Sequence, residues 1–119
     1  MELFRTAEND SIVRVISDGL VISDAGSVLD LIATVRYETG CDRLIIEKTA
    51  VTEDFFVLSS GVAGEMLQKC VNYRMKLAIV GDFSRYTSKP LKDFIYESNR
   101  GKDFFFVGTV DEAVERLGG

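Results

Sequence analysis

The chain has 119 residues, 46% of them hydrophobic and 28% charged, with a net charge of -5, two cysteines and no histidine. That length builds one domain, residues 1–119, which buries about two-thirds of the surface of its unfolded chain. The acidic balance excludes a general affinity for nucleic acid or an anionic membrane, both of which need a basic face. The lack of histidine excludes His-based triads and His metal sites.

From Met1 to Asp10 the chain is polar, a lead-in or a short edge strand. Ser11 to Ile16 reads as the first clear strand, and the turn Ser17-Asp18-Gly19 predicts that Leu20 to Ile22 folds back on it as a hairpin. Ser23 and Asp24 are capping residues for a helix whose Val28, Leu31, Ile32 and Val35 share one face, and Gly40 ends it. Arg43 to Glu47 forms the next strand. Residues 48–58 are irregular, with room for a short helical turn.

Ser59-Ser60-Gly61 opens a second helix, with Val62, Ala63, Met66, Leu67, Cys70 and Val71 inward. Gly64 within it suits close packing against the sheet. In Lys76-Leu-Ala-Ile-Val-Gly-Asp82, the unbroken apolar run marks a strand buried on both faces. After a loop from Asp82 to Ser88, Pro90 fits the first turn of a third helix lined by Leu91, Phe94 and Ile95 and stopped by Gly101. Asp103 to Val107 is the last strand. Thr109 and Glu112 make a capping box for a closing helix lined by Val110, Ala113, Val114 and Leu117. The order predicts an α/β fold: a mainly parallel, mixed sheet with an N-terminal hairpin and four helices.

Cys41 and Cys70 read as reduced thiols, and the N-terminus has no signal peptide. No apolar run nears the roughly 20 residues of a membrane span. The expected location is the cytoplasm.

Two resemblances follow from particular residues. Tyr37-Glu-Thr-Gly-Cys41, Asp54-Phe-Phe56, Gly61-Val-Ala-Gly-Glu65, the run from Lys76 to Ser88, and Lys92-Asp-Phe-Ile-Tyr-Glu-Ser98 resemble the bacterial family known as domain of unknown function 4180. That resemblance implies no activity. The order of elements is similar to the STAS domain of anti-sigma-factor antagonists and sulphate-transporter tails. In that family a serine in an Asp-Ser-Ser-Gly signature is phosphorylated by a partner kinase. The resemblance places Ser60, in Leu58-Ser-Ser-Gly61, at that position. Leu58 stands where the family has Asp, and the loop from Lys48 is longer.

The candidate residues fall into three groups. A phosphate on Ser60 would be favoured by the start of a helix and would recast a docking surface, although plain capping also explains a serine there. Asp24, Glu47, Asp54 and Asp82 are expected toward the carboxyl edge of the sheet, where α/β folds bind ligands. Capping and solvation account for these acids, so no metal is expected. A ligand pocket there would use Glu47, Asp54 and Asp82 with Thr87 and Ser88, and Gly81 would give the sharp turn. Arg85, Lys89, Lys92, Arg100 and Lys102 make one locally basic region, diluted by Asp93, Glu97 and Asp103. Tyr73, Tyr86, Tyr96, Phe55 and Phe56 are core residues or, where exposed, marks of a partner surface.

No catalytic motif and no cofactor signature is present. The sequence favours a non-catalytic, cytoplasmic protein-binding or regulatory module, with a protein partner or a homodimer, switched at Ser60. The alternative is a small-molecule binder or enzyme with a carboxylate-lined pocket.

Overall fold

A computed structural model describes residues 1–7 and 9–118. Its elements run β1 (Glu2–Arg5), β2 (Ile12–Ile16), α1 (Ala25–Thr39), β3 (Arg43–Glu47), α2 (Val62–Asn72), β4 (Lys76–Val80), α3 (Lys89–Arg100), β5 (Phe104–Val107) and α4 (Val110–Gly118). The five strands lie in chain order, with β1 antiparallel to β2 and the others parallel. The α/β class, mixed sheet and four helices are those expected from the sequence.

The antiparallel pair is made differently. β2 pairs with β1 on one side and β3 on the other, so no edge remains for Leu20 to Ile22. That segment crosses the carboxyl edge of the sheet instead. The N–H groups of Val21 and Ile22 both donate to Ala50 O, and Thr52 N–H donates to Ile22 O. The N-terminal hairpin is therefore built by the polar lead-in and β2.

Period-two alternation divides the sheet into two faces. Val13, Val15, Leu44, Ile46, Leu77, Ile79, Phe104 and Phe106 face α1, α2 and α3. Ile12, Ile45, Ala78, Val80, Phe105 and Val107 face α4, through Ala113 and Leu117. β4 is thus enclosed on both sides, as its apolar run requires. Each fully buried Leu, Ile or Phe contributes about 1.5–3 kcal/mol of hydrophobic stabilisation. No polar or charged residue is buried among the described residues.

The helix ends follow local chemistry. Asp24 and Ser27 form a reciprocal box at the start of α1: Ser27 N–H donates to Asp24 Oδ1 at 2.8 Å and Asp24 N–H to Ser27 Oγ at 3.1 Å. Gly40 closes α1 at φ 71°, where side chains are disfavoured. Gly64 departs from expectation. It is exposed, and a Cβ added there meets nothing within 4 Å, so it does not mediate packing against the sheet.

Candidate functional site

The carboxyl ends of β3 and β4 lead into two loops, residues 48–61 and 81–88. The first winds into 3-10 turns at Lys48–Ala50, Glu53–Phe56 and Leu58–Ser60. Phe55 and Phe56 point inward and anchor it. Their rings meet edge to face at 4.9 Å, and Phe55 stacks on Phe104 at 6.1 Å. The expected burial of this aromatic pair holds. Tyr73 and Tyr96 are instead exposed, and Tyr86 is half-buried.

The two loops are tied by an ionic and aromatic cluster. Glu53 accepts from Arg85 Nη2 at 2.5 Å, Tyr86 OH at 3.0 Å and Lys48 Nζ at 3.4 Å. Lys48 Nζ lies 5.3 Å from the Phe56 ring centre and 5.1 Å from that of Tyr86, and those rings stack at 4.7 Å. Its stem passes against Gly81, where a Cβ would stand 2.6 Å from Lys48 Cβ. Gly81 is glycine for this close approach, and its φ is not positive.

The electrostatics follow from those contacts. Burial pushes the Glu53 carboxyl upward, but the Tyr86 hydrogen bond, the Lys48 hydrogen bond and charge, and the Arg85 charge outweigh it, so its pKa lies below the ordinary value. Hydrogen bonds from the Ser84 side chain and main chain hold Asp82 below its ordinary value. Neither carboxyl is moved toward neutral pH, where a general base works best. The cluster is a lock between loops.

The expected pocket residues are not brought together around one cavity. Glu47 turns to the α4 side of the sheet and pairs with Arg14 at 3.4 Å. Asp82 folds onto Ser84 N–H of its own loop at 2.9 Å. The Asp54 side chain is exposed, and its carbonyl accepts from Ser60. Thr87 is exposed, and Ser88 begins α3 without a side-chain cap bond. Asp24 is engaged as a cap. Among the described residues no group of three or more Asp, Glu, Cys or His is placed to hold a metal. In the basic region, Lys89 pairs with Asp93 at 2.8 Å and Arg100 covers Tyr96.

Ser60 is exposed and engaged at once. Its Oγ donates to Asp54 O at 2.6 Å and accepts from Val62 N–H at 3.3 Å. The N-cap of α2 is Gly61, at φ 83°, so Ser60 joins the preceding turn to the helix from one residue further out. Beside it, Phe56, Val57, Leu58, Ser59, Ser88 and Pro90 line an open depression of about 530 Å³. Val57 is 54% exposed.

The residues missed by sequence reasoning are Lys48 and Glu53, which pair with each other and reach across to Tyr86 and Arg85 of the other loop. The only sequence signal was composition: charge and aromatic rings concentrated after the strand ends.

This arrangement defines an α/β domain with a mixed five-stranded sheet and two braced loops at its carboxyl edge. The chain belongs to the family described as Domain of unknown function (DUF4180), whose model matches residues 7–117. No curated protein and no solved structure matches it.

Proposed function

We propose that this chain is a non-catalytic, cytoplasmic protein-docking module with a regulatory role, and that its docking surface is the depression beside Ser60. The observation that carries this reading is the open apolar surface of Val57, Leu58 and Pro90, lined also by the buried Phe56 and adjacent in the chain to an accessible hydroxyl. Exposed apolar residues of this kind mark contact surfaces. The buried thiols, Cys41 and Cys70, are both free, which agrees with a reducing compartment. Among the described residues no helix is long and apolar enough to cross a membrane.

The switch has a physical basis. Ser60 donates its proton to the Asp54 carbonyl, and a phosphate cannot make that donation in its dianionic form. Phosphorylation therefore releases the turn that walls the depression, while the free amides at the start of α2 favour the new charge. The similarity of element order to the STAS domain, with Ser60 at the modified position, agrees with this mechanism.

The test maps phosphate on protein taken from its host and measures binding to the protein it co-purifies with. Val57→Asp should abolish that binding, and Ser60→Glu should change it at least about tenfold, equivalent to roughly 1.4 kcal/mol. Equal affinity for wild type and both variants removes the reading.

A further inference from the structure

The two edges of the sheet are finished differently. At β5, Phe106 turns its main-chain groups outward, and Asn99 of α3 takes both. Phe106 N–H donates to Asn99 Oδ1 at 2.8 Å, and Asn99 Nδ2 donates to Phe106 O at 3.2 Å. Groups already satisfied offer nothing to an incoming strand.

At β1 the edge is open. Thr6 N–H donates to Ile12 O across the β1–β2 ladder. By the alternation of an antiparallel pair, Phe4 and Glu2 also direct their main-chain groups inward, and Leu3 and Arg5 direct theirs outward. Among the described residues, no side chain or loop bonds the outward main-chain groups of Leu3 and Arg5. The adjoining sheet face is also bare. α4 covers Ile12 of β2 and the core residues of β3, β4 and β5, while Phe4 and Ile16 on that face are 48% and 40% exposed. With Arg14, Thr6 and the first turn of α4 they line a trough of about 490 Å³.

We propose that β1 is a homodimer edge, on which a second copy adds its own β1 antiparallel about a twofold axis perpendicular to the sheet. The occupant follows from self-complementarity. Such an axis keeps like faces together, so the strand can be centred on Phe4. Leu3 of each copy then faces Arg5 of the other, and every outward N–H and C=O of these residues is paired. Phe4 meets its own symmetry mate in the closely spaced, non-hydrogen-bonded position. Glu2 falls opposite Thr6, so no like charges oppose. The Asn99 clasp interrupts each outer edge of the joined sheet at Phe106, which opposes further strand addition there and favours two copies. A contact made by one four-residue strand and an aromatic pair is smaller than the roughly 1,600 Å² of a standard interface. The dimer therefore dissociates on dilution.

This inference uses different elements from the Ser60 surface and does not rest on it. Sedimentation velocity over a concentration series up to high micromolar tests it, with hydrogen exchange read at low and high concentration. The expected result is a monomer–dimer equilibrium, with the Leu3 and Arg5 amides gaining protection as the dimer forms. Phe4→Lys opposes two charges at the axis and should weaken the dimer more than about tenfold. Leu3→Pro removes an outward N–H, which an edge strand tolerates, and should also give a monomer with an intact circular dichroism spectrum. Ser60→Glu should leave the equilibrium unchanged. Wild type monomeric at every concentration overturns the proposal, as does a dimer whose affinity neither β1 variant alters.

Discussion

At the residue scale, two glycines give opposite predictions. Gly81 sits against the Lys48 stem, where a Cβ would come within 2.6 Å of Lys48 Cβ, an atom close to the backbone and unable to swing away. Gly81→Ala should therefore destabilise the protein by about 1–3 kcal/mol, as overpacking does, and should separate the two loops. Gly64 faces open space in the first turn of α2. Gly64→Ala should stabilise by roughly 0.5–1 kcal/mol, because it removes the backbone entropy cost of a helical glycine. Urea denaturation of both variants checks the pair of signs. The sequence made Gly81 a turn residue and Gly64 a packing residue, and the structure reverses the emphasis. Neither role is written in the local spacing, since each depends on what another segment places beside the Cα. Cys70 supplies a prediction of another kind. Burial, with a smaller contribution from the Asp103 charge, pushes its thiol up to about 12. The folded state thus keeps a proton that the unfolded chain releases above its ordinary thiol pKa, near 8.5. That stability is fully present below this value and is lost as pH rises toward 12, by about 1.4 kcal/mol per pH unit. Cys70→Ala lacks the dependence, so denaturation midpoints of wild type and variant should converge between pH 9 and 11.

At the element scale, α4 and the end of α3 show how much of a fold follows from pattern and how much does not. The apolar spacing Val110, Ala113, Val114 and Leu117 was enough to place α4 on the sheet, and Ala113 and Leu117 are its fully buried members. The capping is close to the expected box: Glu112 N–H donates to Thr109 Oγ1, while Glu112 Oε2 accepts from Gly108 N–H, one residue earlier than the reciprocal form. Because the α1, α2 and α3 residues of the core lie on the other face, α4 is the cover for Ile12, Ile45, Ala78 and Phe105. Leu117→Ala should cost about 2–4 kcal/mol by cavity formation, measured by thermal or urea unfolding. Asn99 is the contrasting case. Its sequence position, near the end of a polar helix, carries no sign that its amide would clasp the edge of β5. Asn99→Ala leaves the Phe106 amide and carbonyl without their partner and should cost about 1–3 kcal/mol.

At the scale of the whole molecule, the strict alternation of helix and strand from α1 onward was legible because each apolar period was clean and each boundary carried its own cap or glycine. The hairpin partner was misread because Leu20 to Ile22 are more apolar than Glu2 to Arg5, and local hydrophobicity does not report which strand finds a free edge. The loop cluster was illegible for a related reason. Arg85 and Glu53 lie 32 residues apart, and only the parallel register of β3 and β4 brings their loops together. The same topology predicts how stability is distributed. β3 and β4 have strands on both sides and core residues on both faces, whereas β1 pairs along one side and has largely exposed side chains. Opening β1 breaks one ladder and exposes little apolar surface, but opening β4 breaks two and exposes both cores. Native-state hydrogen exchange of the dilute protein should therefore find the amides of residues 44–46 and 77–80 exchanging only through global unfolding. The inward amides of Phe4 and Thr6 should exchange orders of magnitude faster, through local opening. Equal protection across β1 and β4 would mean that the sheet opens as a single unit and that the bare edge adds no local freedom.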